Sequence, residues 1–121
     1  MAYKEMTVVK IGTSEKLEYI YEAQDSVNAN TTAGVTIILP AGINSCGVTV
    51  QVGAGATVKC QSSTDSINDL KTDAVTNTWE DWPLGEITSD DQDELAVGAS
   101  AVRLYCVATA GVTSTIKVSA K

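Results

Sequence analysis

The amino-acid sequence predicts an all-β domain, an antiparallel β-sandwich of about seven or eight strands. Three observations carry this expectation. Apolar and polar residues alternate with a period of two in at least four segments. Ser and Thr are abundant and Val and Ile outnumber Leu, a bias toward strands and away from helices. Short links containing Gly or Pro punctuate the alternating runs. At 121 residues with 44% hydrophobic content, the chain is long enough for one core and reads as a single domain over residues 1–121.

The elements follow in order. Met6 to Gly12 and Leu17 to Ala23 read as strands around Gly12-Thr13-Ser14-Glu15, and the polar, Asn- and Thr-rich stretch from Asp25 to Gly34 reads as a loop. Val35 to Leu39 is a nearly continuous β-branched run that stops at Pro40-Ala41-Gly42, as expected of a strand covered on both faces. Val48, Val50 and Val52 alternate with Thr49 and Gln51. After Gly53-Ala54-Gly55, Ala56, Val58 and Cys60 resume the pattern against Thr57, Lys59 and Gln61. Two such runs joined by a short Gly-containing link predict a β-hairpin.

Ile67, Leu70 and Ala74 stand at helical spacing within Ser66–Val75, but the window is short and Asp-rich, which limits it to about one turn. Val102, Leu104, Cys106 and Ala108 form one strand face. Ala110-Gly111 turns the chain, and Val112, Ser114, Ile116 and Val118 alternate beyond it, predicting a second hairpin. Tyr105 and Val107 make the outward face of its first strand partly apolar, so that face calls for a cover. The predicted core is Val48, Val50, Val52, Val58, Cys60, Val102, Leu104, Cys106, Ile116 and Val118. Jelly-roll and immunoglobulin-like connections both fit this strand count.

Composition narrows the function. The chain has no His and one Arg, Arg103, so it holds no Ser–His–Asp or Cys–His pair and no His-ligated metal. We expect no enzyme activity, no cofactor and no metal. The formal net charge is −7, from 15 acidic and 8 basic side chains, and without clustered Lys and Arg no nucleic-acid partner is expected. The sequence shows no apolar run of signal-peptide or membrane-span length, so synthesis in the cytoplasm and no membrane contact are expected. Cys46, Cys60 and Cys106 are widely spaced and odd in number, and they read as buried reduced thiols. A Cys60–Cys106 disulfide would require their strands to be neighbours with suitable geometry.

The acidity is local. Ten of the 15 acidic residues lie between Asp65 and Glu94, a stretch with one basic residue, Lys71. Asp90-Asp91-Gln92-Asp93-Glu94 lacks the spacing and the glycine of an EF-hand loop, so its acids read as a charged surface. Among them lies Trp79-Glu80-Asp81-Trp82-Pro83-Leu84-Gly85, with the only two tryptophans three apart. The indoles either plug an open end of the sandwich or stand exposed as a platform for a protein or a sugar. The site residues expected to bind a partner are Trp79, Trp82, Asp90, Asp91 and Asp93.

The segments GVTVQVGAGATVKCQSS, TWEDWPLGEIT and ASAVRLYCVATAGVTSTIKVSAK, spanning roughly residues 45–121, resemble small β-sandwich virion proteins of tailed bacteriophages. Trp82-Pro83-Leu84-Gly85 and Val102-Arg103 are the most particular matches. The resemblance implies a structural protein of the virion, made in the host cytoplasm. Such proteins decorate or cement the capsid, or sit at head–tail or tail positions, usually as symmetric oligomers bound to other virion proteins such as capsid subunits. It carries over no catalytic residue. The alternative is a non-catalytic carbohydrate-binding or adhesion module using Trp79 and Trp82, with Tyr19 or Tyr21 as further stacking surfaces.

Overall fold

The computed structural model describes residues 3–12, 17–72, 77–94 and 98–121. In chain order the strands are β1 (Tyr3–Glu5), β2 (Thr7–Gly12), β3 (Leu17–Val27), β4 (Thr32–Ala33), β5 (Thr36–Ile38), β6 (Cys46–Gln51) and β7 (Thr57–Ser63). A short helix, α1 (Ile67–Thr72), precedes β8 (Glu80–Asp81), β9 (Asp91–Glu94), β10 (Ala101–Ala108) and β11 (Ser114–Ala120). They form two packed sheets, an all-β sandwich. One sheet runs β1-β5-β10-β7-β8, with β4 also on β10, and the other runs β2-β3-β11-β6-β9.

Taken with β4 and β5 as one broken strand, β3 to β11 are the eight strands of a jelly roll. One sheet holds them in the order first, eighth, third, sixth, and the other in the order second, seventh, fourth, fifth. All pairs within this set are antiparallel. The order distinguishes a jelly roll from the immunoglobulin-like alternative. The N-terminal strands are additions: β1 joins β5 in parallel, β2 joins β3, and Met6 between them tucks into the core at the sandwich edge.

Neither predicted hairpin forms. β6 pairs with β11 and β9, whereas β7 lies in the opposite sheet against β10 and β8. β10 and β11 are likewise split between the sheets. Both links are arches that carry the chain across the core, so the apolar faces of successive strands meet instead of lying side by side. The two arches lock together at one end of the sandwich. Gly55 takes φ +79°, Ala56 N–H donates to Gly53 O at 3.0 Å, and Gly53 N–H donates to Ser114 Oγ at 3.0 Å. A methyl group on Gly53 would sit 2.7 Å from Thr113 O, so only glycine fits where the first arch passes the second.

The predicted loop from Asp25 to Gly34 is shorter than expected. β3 continues to Val27 and β4 takes Thr32–Ala33. β3 continues into a polar stretch because Asp25, Ser26 and Val27 pair with Ile116, Thr115 and Ser114 of β11, and the Asp25 carboxylate accepts from Val35 N–H at 2.7 Å and lies 3.9 Å from Lys4 Nζ. The predicted turn at Gly12-Thr13-Ser14-Glu15 falls largely outside the described residues, as do Asp73 to Val75 at the end of the predicted helical window.

The phase assignment holds. Nine of the ten predicted core side chains are buried, and Val52 packs against them half-buried. Thr36 to Leu39 are buried throughout because both faces of β5 are covered. Ile37 and Leu39 enter the main core, while Ile38 lies under α1 in a second small core with Leu70 and Ala101. Ser66 caps α1 through its Oγ, which accepts from Asp69 N–H at 3.2 Å.

All three cysteines are free and buried. Cys60 and Cys106 lie on neighbouring strands, but Cys60 stands opposite Leu104 and Cys106 opposite Val58, a diagonal placement. Burial pushes the Cys46 thiol up to about 11 and, with Cys46 nearby, the Cys60 thiol up to about 12. The usual thiol value is 9.0, so the unfolded chain ionises first as pH rises. The stability associated with a protonated Cys60 is therefore complete below pH 9 and is lost between about 9 and 12, at roughly 1 kcal/mol per pH unit. Urea midpoints across this range should fall steeply for the native chain and less steeply for Cys60→Ala. At pH 8 a disulfide reagent should label the thiols only on unfolding. Rapid labelling of the folded chain would contradict this burial.

Candidate functional site

Of the residues singled out by the sequence, Asp90, Asp91 and Asp93 lie along one flank of the sandwich, where β8 edges one sheet and β9 the other, whereas the two tryptophans do not join them there. Residues 80–94 carry Glu80, Asp81, Glu86, Asp90, Asp91, Asp93 and Glu94 and no basic side chain. The connection between the two edge strands closes the flank. Trp82 N–H donates to Cys60 O at 2.8 Å, and the turn over Pro83-Leu84 closes with Gly85 N–H donating to Trp82 O at 2.8 Å. Ile87 then pairs with Val58 across two backbone hydrogen bonds.

This arrangement drives the Trp82 indole inward, where it is 4% exposed and part of the main core. The structure thus places Trp82 as a plug between the sheets and leaves Leu84, 38% exposed, at the tip of the turn. Trp79 lies elsewhere, on the outer face of the six-stranded sheet. It packs on the small core of Ile38, Leu70 and Ala101, and the Arg103 guanidinium stacks 4.1 Å from the centre of its ring system. The two indoles therefore form no shared platform. Tyr21 packs partly buried against the core, and the Tyr19 side chain lies outside the described residues.

The Arg103 contact belongs to a cross-strand row on that outer face. Arg103, Gln61 and Asp81 stand opposite one another on β10, β7 and β8. Arg103 Nε donates to Gln61 Oε1 at 2.8 Å, and Gln61 Nε2 donates to Asp81 Oδ1 at 3.0 Å. The Gln61 amide and then the Lys59 ammonium, 3.2 Å from Asp81 Oδ2, hold the Asp81 carboxyl below the usual carboxylate range. Lys59 also lies 5.3 Å from the Tyr105 ring centre. Helix α1 and Trp79 cover Ile38 and Ala101 on this outer face, whereas Tyr105, beside Lys59, and Val107 stay half-buried.

The acids of β9 divide by role. Asp90 is structural as well as charged, since its Oδ1 accepts from Val52 N–H at 2.8 Å and ties the start of β9 to the β6–β7 arch. Asp91 stands opposite Val50 and Asp93 opposite Val48, so both share the inward phase of β6. At the edge, with no strand beyond, they emerge to solvent, and all of β9 is exposed. Charges of this phase on an edge strand oppose pairing with a further strand and leave the flank open to side-chain contacts. Asp91 and Asp93 thus form an exposed anionic edge on β9, while Glu94, of the opposite phase, belongs to the outer face of its sheet. The roles of Gln61 and Arg103 were not foreseen: a Gln in a strand gives no local sign that it will bridge a guanidinium and a carboxylate on two other strands. Comparison with known proteins finds no match to a family model, a curated protein or a solved structure.

Proposed function

We propose that this chain is a structural virion protein of a tailed bacteriophage, decorating or cementing the capsid as a symmetric oligomer through protein–protein contacts. The observation that carries the reading is the jelly-roll order, an architecture used by viral capsid domains and by lectins. An architecture hosts many functions, so the reading also draws on the resemblance of residues 45–121 to such virion proteins. In this reading the anionic flank, with Asp90, Asp91 and Asp93, faces a basic surface of a neighbouring subunit. Carboxylates there steer and orient the encounter more than they add affinity. Symmetry multiplies each modest contact into avidity.

Two measurements test this. Mass spectrometry of purified virions of the phage that encodes the chain should find it in stoichiometric copy number; its absence would end the virion reading. Capsids lacking the chain should rebind it, and replacing Asp90, Asp91 and Asp93 by Asn should slow that association on the order of tenfold at low salt. The difference should shrink as salt approaches physiological strength, where charges are screened beyond about 8 Å. Asn at position 90 keeps an oxygen for Val52 N–H, so the fold is preserved. Unchanged association of the folded triple variant would remove this flank from the interface.

A further inference from the structure

The outer face of the five-stranded sheet carries a trough of about 910 Å³ whose walls and floor follow from strand register. In one cross-strand row Glu22, Ser119, Gly47 and Glu94 stand in succession on β3, β11, β6 and β9. In the next, Gln24, Lys117, Thr49 and Gln92 do the same. Long side chains rise from the two outer strands, while the small residues Ser119, Gly47 and Thr49 lie between them. Three strand spacings of about 4.8 Å put the β3 and β9 backbones roughly 14 Å apart. A Glu faces a Glu across one row, and a Gln faces a Gln across the other, with Lys117 on the floor.

We propose that this trough is a binding site for a neutral, polyhydroxylated ligand, an oligosaccharide. Each carboxylate can accept from two neighbouring hydroxyls, each amide both donates and accepts, and the ammonium donates. Sugar hydroxyls, which donate and accept at every position, match such a lining. The side chains are also free for the task. Among the described residues, Glu22, Glu94 and Lys117 make no side-chain hydrogen bond or ion pair, although opposite charges on neighbouring strands of a sheet face commonly pair.

Other ligand classes fit less well. A phosphate-bearing polymer meets the carboxylates of Glu22 and Glu94 against Lys117, since Lys4 is held by Gln24 O and Asp25. An apolar partner finds little apolar side chain to cover, because Val48 and Val118 point into the core and offer only backbone here. The site is independent of the virion reading and of the Trp pair.

The test is titration of the ¹⁵N-labelled full chain with cello-, xylo-, manno- and malto-oligosaccharides. At least one series should shift amide signals of β3, β6, β9 and β11 and leave those around Trp79 unmoved. Gly47→Gln should weaken that binding at least tenfold by filling the floor. The nearest heavy atom to an added Cβ there is Ser119 O at 4.0 Å, so the variant should stay folded. Glu94→Ala, on the exposed edge strand, should weaken binding without touching the floor. No shifts with any series at millimolar sugar would overturn the proposal. So would affinity unchanged from the native chain in both variants, shifts centred on Trp79, or tight binding of extended peptides in place of sugars.

Discussion

Replacing Trp82 with alanine lowers the stability of the isolated domain by about 3–5 kcal/mol, the range for truncating a large buried aromatic side chain. The indole is 4% exposed, and its backbone N–H pairs with Cys60 O, so truncation leaves a cavity where β8 crosses toward β9. The backbone there is tied down by the Gly85 turn and the Ile87–Val58 bridge, so it cannot collapse to fill the space. In a domain of this size such a loss lowers Tm on the order of 10–20 °C. Trp79→Ala should cost less, because that ring is half-buried and rests on a small core of three residues. Chemical denaturation of the two variants checks the order. If Trp82→Ala were as stable as the native chain while particle binding failed, the indole would be an anchor for a partner and the packing described above would be wrong.

Leu104→Ala should cost about 2–5 kcal/mol. Leu104 is fully buried on β10, the strand at the centre of the six-stranded sheet, opposite Cys60 of β7 and backed by the main core. Gly34 packs over the same strand, where Gly34 N–H donates to Leu104 O at 2.7 Å. The surrounding backbone is thus fixed from two sides and relaxes little into a cavity. Lys117→Ala, one residue from the buried Ile116 but on the outer face, should change stability by less than about 0.5 kcal/mol. A loss below that figure for Leu104→Ala as well would mean that β10 is out of phase. Because period-2 alternation places every other residue inward, all of its core side chains would then be misassigned together.

Inward phase was legible from local pattern alone. Val48 and Val50, Val58 and Cys60, Leu104 and Cys106, and Ile116 and Val118 alternate with polar or outward residues, and alternation reports which face is dry. The run from Val35 to Leu39 was legible for the same reason, since a strand lacking polar alternation needs cover on both sides, and α1 supplies the second. The acidic flank was legible as composition. Its division was not: Asp90 bonds Val52 across 38 positions of chain, and no local signal separates it from Asp91.

Which strand lies beside which was decided by tertiary structure. A hairpin and an arch have the same apolar spacing and accept the same Gly-containing link. In a hairpin the two strands exchange backbone hydrogen bonds and their apolar faces point the same way. In an arch the link turns the chain so that those faces meet, and each strand finds its backbone partner elsewhere. β6 finds β11 and β7 finds β10, so the choice at Gly53 depends on strands about fifty residues further along. The same register brings Glu22 and Gln24 opposite Glu94 and Gln92 across the trough, from strands far apart in sequence. The sequence by itself determined which side of β6, β7, β10 and β11 is dry, because hydrophobic burial is read residue by residue. Only the tertiary structure decided which strands share an edge, because backbone hydrogen bonds carry no side-chain label and are won by whichever strand completes both faces of the core.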